Sequence, residues 1–220
     1  MEKGDTGTLE APLASIVVRT LGTRKLHLQR ALRSLAASTR LPLQVVIVYQ
    51  GRSQETLAYL RTLAAHHSNL TITIVQNETE VDDRAQNLNL GWSAALGRYL
   101  GFLDDDDTIE PGHIQTLVAA MSATGAVWSY GQCLLVKENT SGEPLHRSFP
   151  FYRRSFSFQE LLIENFIPIH SFLVDREKLT DSLRERPFFR PLKRSEDWDF
   201  LIRLAHEHKP AVSQECVCTY

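Results

Sequence analysis

Four aspartates stand in a row at Asp104 to Asp107, directly after the apolar stretch Tyr99–Leu103. Two carboxylates ~4 Å apart repel by about 1 kcal/mol in water, and by more in a partly dry cleft. The run is therefore either fully solvated, with its last members complementing the dipole of the next helix, or it faces something positive. A divalent cation shared with substrate phosphates is one such partner, since Mg²⁺ is commonly held by one or two carboxylates in that setting. A second acidic point, Glu196 and Asp197 in RSEDWDFLIRL, has a good local reading. Ser195 is an N-cap residue type, and acids suit the first turn of a helix. Trp198, Leu201 and Leu204 or Ala205 then form an apolar stripe.

Both acidic points need elements to position them. LASIVVRT is a continuous β-branched run, the mark of a strand covered on both faces. Leu28, Leu32 and Leu35 follow at helical spacing. LQVVIVYQG is a second buried strand, SQETLAYLRTLAAHH a helix capped by Ser53, LTITIV a third strand, RAQNLNLGWSAALG a helix, and RYLGFL a fourth strand. PGHIQTLVAAMSATG resumes a helix, with Pro111 at its first turn and Gly125 beyond its end. Strands alternating with helices predict a parallel sheet with right-handed crossovers. Ligands in such folds sit at the carboxyl ends of the strands, and the aspartates stand at one of those ends.

From Ala126 the pattern loosens. AVWSYGQCLLV reads as a long strand and residues 137–158 as a loop. QELLIENF reads as a short helix, IHSFLV as a strand, SEDWDFLIRLAHEH as a helix and AVSQECVCTY as a last strand. The expected organisation is a disordered lead over 1–12, then one domain of two halves, 13–125 and 126–220, the second built around a different task from the first.

Composition narrows the function class. A net charge of −2 over 220 residues excludes the basic balance of a nucleic-acid binder. No apolar run approaches the ~18 residues of a membrane span, and the polar start carries no secretory signal. Cys133, Cys216 and Cys218 are odd in number and lack a metal-ligand spacing, so they read as buried, inert thiols of a reducing cytoplasm. Cys216 and Cys218 are expected on one face of a strand. His206 and His208, two apart on a helix, read as surface residues.

The motifs in this order resemble the inverting glycosyltransferases of family 2. ASIVVRT…LQRALRSL is similar to their first strand and helix. NLGWSAALGRYLGFLDDDDTIEP matches their helix, turn and Asp-x-Asp motif, and SEDWDFLIRL their late Glu-Asp motif. The resemblance spans residues 13–220. It implies a GT-A (Rossmann-like) α/β fold with a mostly parallel central sheet flanked by helices. It also implies sugar transfer from a nucleotide diphospho-sugar to an acceptor hydroxyl with inversion, in polysaccharide or glycoconjugate synthesis. Carried over by position, Asp104 and Asp106 are the Asp-x-Asp pair, and Asp106 is the direct ligand of a Mn²⁺ or Mg²⁺ ion. Asp105 lies against the ribose or outside the ion's ligands, Thr20 contacts the nucleotide, Arg84 approaches the base, and Asp197 is the catalytic base with Glu196 orienting or capping beside it.

One departure stands out. Where the family shows Val-Asp-Asp-Gly-Ser, this chain has VYQGRS, so the carboxylate directed at a uracil ring is absent. Tyr49 is expected to stack on a base and Gln50 to pair with one through its amide. His170 either approaches the diphosphate or acceptor, or is a hydrogen-bonded structural histidine. FPFYRRSFSF, with Arg153 and Arg154 among aromatics, either meets an anionic acceptor or membrane surface, or is a solvated loop anchored by its rings. The expected acceptor is a glycan or lipid-linked glycan, and the expected location is cytoplasmic, at the inner face of the membrane. A stop directly after a strand suggests a longer, multidomain chain. Two rival functions remain. A sugar-nucleotide nucleotidyltransferase would need a Gly-rich phosphate loop, and RTLGTRK has a single glycine; the other is a catalytically silent interaction domain of the same fold.

Overall fold

Strand β1 (Ala14–Thr20) is apolar and almost wholly buried, as its β-branched run requires, and it occupies the middle of the sheet. The structure, a computed structural model, describes residues 13–38, 42–139 and 143–220. The expected lead at 1–12 lies outside these residues. Helix α1 (Lys25–Ala37) lays Leu28, Ala31, Leu32 and Leu35 on the sheet. Strand β2 (Leu43–Gln50) and strand β3 (Thr71–Asn77) add in parallel on one side of β1, and β4 (Tyr99–Asp104) in parallel on the other. Helix α2 (Gln54–Ala65) begins at Ser53, whose side chain accepts from Thr56 N as its residue type predicts. Helix α3 (Arg84–Ala94) covers the opposite face.

Beyond β4 the sheet becomes mixed. After the short β5 (Thr108–Ile109) comes α4 (His113–Thr124), closed by Gly125 at φ 72°, a left-handed position that glycine fills without strain. Pro111 lies just before this helix, whose N-cap is Gly112. Strand β6 (Trp128–Glu138) turns back into β7 (Pro144–Ser148), so the expected loop at 137–158 contains a strand. Then follow α5 (Phe158–Ile163), a 3₁₀ turn at Ile169–Ser171, β8 (Phe172–Asp175), α6 (Asp181–Glu185), α7 (Glu196–Glu207) and β9 (Ala211–Thr219). The order across the sheet is β3-β2-β1-β4-β8-β6-β9-β5, with β7 on β6. Two apolar clusters cover its faces. One lies under α1, α2 and α4, and the other, rich in Trp92, Phe102, Phe172 and Phe200, lies under α3 and α7.

Candidate active site

The parallel register of β1 with β4 sets Arg19 beside Asp104 at the carboxyl edge of the sheet. Arg19 Nε and Nη2 donate to Asp104 Oδ1 at 2.9 and 2.6 Å, and Nη1 donates to Glu196 Oε1 at 2.8 Å. One buried guanidinium thus ties the two acidic motifs together. Burial works against its charge, but Asp104 and Glu196 outweigh that and hold its pKa above the ordinary value. Burial likewise pushes Asp104 up, and the Arg19 charge and hydrogen bonds overcome it, leaving the carboxyl below its usual range.

The four aspartates are not all held by one partner. Thr20 Oγ1 donates to Asp105 Oδ2 at 2.5 Å, and Arg24 Nη2 lies 2.7 Å from Asp105 Oδ1 as an ion pair without hydrogen-bond geometry. Arg24 Nη1 donates to Asp106 Oδ2. Asp107 turns inward, where its Oδ2 is 3.2 Å from His170 Nδ1. Burial pushes the Asp107 carboxyl up to about 7; His170 opposes the shift, and Asp104 and Asp106 add to it. The repulsion along the run is relieved by dividing the side chains, Asp104 to Arg19 and both Asp105 and Asp106 to Arg24, while Asp107 turns inward to His170. The turn before α1 that brings Arg24 here passes through Gly22, at φ 73°, where a Cβ would come within 2.3 Å of Thr56.

A cleft of about 350 Å³ opens at this edge, lined by Thr20, Gln50, Arg84, Asp104 and Asp105 together with Arg19, Arg24 and Asn87. Five of the expected nucleotide contacts therefore share one cavity. Gln50 Nε2 donates to Val81 O at 2.9 Å and its Oε1 accepts from Asn87 Nδ2 at 2.6 Å, while Asn77 Nδ2 donates to Asn87 Oδ1 at 2.7 Å. Arg84 is half exposed and 3.6 Å from Asp82. Asp106 lies outside the lining of this cleft and faces a neighbouring one that it shares with Arg30, Glu138 and Tyr220.

Tyr49 corrects the sequence reading. Strand alternation puts it with Val45 and Ile47 on the face under α1 and α2, opposite to Gln50. It is 2% exposed, its hydroxyl accepts from Ser53 N at 3.1 Å, and no ring face is open to a base. His170 is buried too, with Nε2 3.2 Å from Cys133 Sγ. This is the structural alternative, and its ring does not reach the cleft's lining. Arg153 is also withdrawn from a membrane role. It packs over the Phe166 ring at 5.1 Å and pairs with Glu160 and Glu164 at 3.3 and 3.2 Å.

At α7, Ser195 does not cap with its side chain. It adopts φ 61° and ψ 26°, a left-handed conformation that costs a non-glycine residue about 1–2 kcal/mol. Such strain concentrates at functional turns. Glu196 is buried on Arg19, whereas Asp197 has Asn165 Nδ2 at 3.3 Å. Burial, then the charge of Glu196, raises the Asp197 pKa above the ordinary range. Asp199 points elsewhere, pairing with Arg203 at 2.8 Å, as helical spacing from Asp197 predicts. The residues missed from sequence are Arg19, Arg24, Asn77, Asn87 and Asn165. Arg19 carried a signal, as a lone charge at the end of an apolar strand.

The chain is similar to known proteins in sequence and in fold. The family model described as glycosyl transferase family 2 matches residues 15–183. The GalNAc(5)-diNAcBac-PP-undecaprenol beta-1,3-glucosyltransferase of Campylobacter jejuni is 23% identical over 175 residues, 77% of this chain and 55% of that protein. The chain thus spans about half the length of that curated relative. Among solved structures, S. aureus TarS 1-349 in complex with UDP-GlcNAc superposes with a TM-score of 0.67 at 18% identity, over 94% of this chain and 58% of that one. The mannosyltransferase PcManGT from Pyrobaculum calidifontis, in complex with GDP-Man and Mn²⁺, gives a TM-score of 0.67 at 16% identity, over 96% and 57%. These likenesses carry the GT-A fold, and with a family match that runs from β1 into α6, the chain belongs to glycosyl transferase family 2.

Proposed function

We propose that this chain transfers a sugar from a nucleotide diphospho-sugar to an acceptor hydroxyl, with inversion at the anomeric carbon and a divalent cation at the acidic turn. The observation that carries the reading is the Arg19 bridge, which brings Asp104 and the Glu196–Asp197 turn to one edge of the sheet. The amides of Gln50 and Asn87 at the cleft offer donors and acceptors to a base, and Arg84 lies beside them. Asp197 is the general base. An inverting transfer is a single displacement, so one carboxylate must take the acceptor's proton as the glycosidic bond breaks. Burial raises the basicity of Asp197, and no cation among the described residues is bonded to it, unlike Asp104 and Asp106.

The donor set suits a hard cation. Asp106 is a partly exposed carboxylate held only by the mobile end of an exposed arginine, whereas Asp104 is locked by Arg19. Asp106 is accordingly the primary ligand and Asp104 the weaker one. A Mn²⁺ or Mg²⁺ ion there would neutralise charge on the departing diphosphate. Two named proteins of the same fold support the donor class: TarS was solved with UDP-GlcNAc, and PcManGT with GDP-Man and Mn²⁺. The C. jejuni relative's undecaprenol-linked substrate favours a glycan or lipid-linked glycan as acceptor, in polysaccharide or glycoconjugate synthesis at the inner face of the membrane. None of the described helices is long and apolar enough to cross a membrane.

Incubation with a panel of sugar nucleotides and Mn²⁺, with and without glycan acceptors, tests the reading. Acceptor-stimulated release of nucleoside diphosphate is expected. Pyrophosphate exchange would instead indicate a nucleotidyltransferase, and a silent panel with no nucleotide binding would indicate an interaction domain.

A further inference from the structure

Cys133 on β6 and Cys218 on β9 are register partners across adjacent parallel strands. The ladder shifts on either side of Gln132, and such irregularities re-aim side chains. The imidazole of His170 meets the two thiols from the 3₁₀ turn before β8, with Nε2 3.2 Å from Cys133 Sγ. The ligand atoms of Cys133, His170 and Cys218 all lie within 4.8 Å of one another. Among the described residues this is the one group of three or more His, Cys, Asp or Glu side chains that converges so closely, and the four aspartates do not. All three residues are buried, at 2%, 4% and 0% exposure.

Two buried thiols alone would behave as small apolar side chains. Two features argue against that reading here. The sulfur–nitrogen spacing is near the ~3.5 Å that separates thiolate and imidazole ligands around a tetrahedral ion with Zn–S of about 2.3 Å and Zn–N of about 2.0 Å. The second nitrogen of His170 faces Asp107 Oδ2 at 3.2 Å without hydrogen-bond geometry, the place where a carboxylate fixes the ring of a metal-ligating histidine.

We propose that Cys133, Cys218 and His170 bind a soft divalent cation of the Zn²⁺ class, with the fourth position taken by water. The two thiol protons leave to solvent on binding. The site differs from the surface of the acidic turn in chemistry, because sulfur and imidazole select zinc whereas carboxylates select Mg²⁺ or Mn²⁺. It lies directly beneath that turn, and Asp107 links the two. A metal here fixes β9 to β6 and holds Asp107 inward, leaving Asp104 to Asp106 to face outward. The proposal stands whether or not the chain transfers sugar.

Cobalt substitution of the folded, reduced protein tests it. One equivalent of Co²⁺ should produce thiolate-to-cobalt charge-transfer absorption with the intense visible bands of a tetrahedral ion, and Zn²⁺ should displace it. An ion at the aspartates gives no thiolate band, so the two sites are told apart. Cys133→Ser should abolish the band, while Cys216→Ser should keep it. Asp107→Asn, which leaves every ligand in place, should weaken zinc binding roughly 10–100-fold. A reduced, folded protein without thiolate-to-cobalt absorption would overturn the site. Loss of the band in Cys216→Ser, or unchanged zinc affinity in Asp107→Asn, would do the same.

Discussion

The two acidic turns of this chain carry the same kind of side chain under opposite conditions. At the end of β4, Asp104, Asp105 and Asp106 each lie against an arginine, and Asp104 is held below its usual pKa. At the start of α7, Asp197 has an amide neighbour, and burial raises its pKa. A carboxylate saturated with positive charge is a poor proton acceptor, and one that is dry and uncompensated is a good one. The difference separates a cation- and phosphate-facing turn from a proton-taking one, although Arg19 joins them.

Asp197→Asn should break the comparison most severely. Transfer is expected to fall about 10²–10⁴-fold, with nucleoside diphosphate affinity unchanged by calorimetry. A base acts deprotonated, so the rate of the parent protein should fall as pH drops through the raised Asp197 pKa. That acid limb should lie above the ordinary carboxylate range and disappear in the asparagine variant. Near-normal turnover by Asp197→Asn would erase the distinction between the turns.

Arg19→Met tests the bridge itself. It leaves Glu196 buried without its cation beside a partly exposed Asp104, and removing one partner of a buried ion pair costs about 3–5 kcal/mol. Urea denaturation should show a loss of that order, and a loss below about 1 kcal/mol would mean the turns are held together by packing alone. Tyr49→Phe should cost only the single hydrogen bond to Ser53 N, about 0.5–1.5 kcal/mol, with nucleotide affinity untouched. A drop in affinity would restore Tyr49 to the site. Arg24→Ala removes a partly exposed partner worth about 0–1 kcal/mol. It should tighten Mn²⁺ binding by freeing Asp106, and weaker binding would show that Arg24 helps to hold the ion's phosphate partner.

How far the sequence reached follows the same division. Strands β1, β2 and β4 were legible because each is a continuous apolar run that only a sheet covered on both faces can use, and the partly exposed edge strand β3 because Thr and Ile alternate along it. Strand β7, PLHRS, was not, since four of its five residues are exposed and it carries no apolar face. Thr20, Gln50, Arg84, Asp104 and Asp105 all line one cleft, to which their strand-end or helix-start positions bring them. Tyr49 was misplaced, although the alternation along β2 already set it with Ile47 rather than with Gln50. Ser195 looked like a cap by type, and its left-handed backbone is a tertiary demand that no residue preference encodes. The Cys133–His170–Cys218 cluster left no spacing signal, because three separate elements supply it.

The central claim is that Asp197 removes a proton in one displacement while the acidic turn holds the leaving group. The anomeric configuration of the transferred sugar, read by NMR on the product of a defined sugar nucleotide, tests it most directly. A configuration opposite to the donor's is the predicted result. A product that keeps the donor's configuration would require two displacements and would contradict the account.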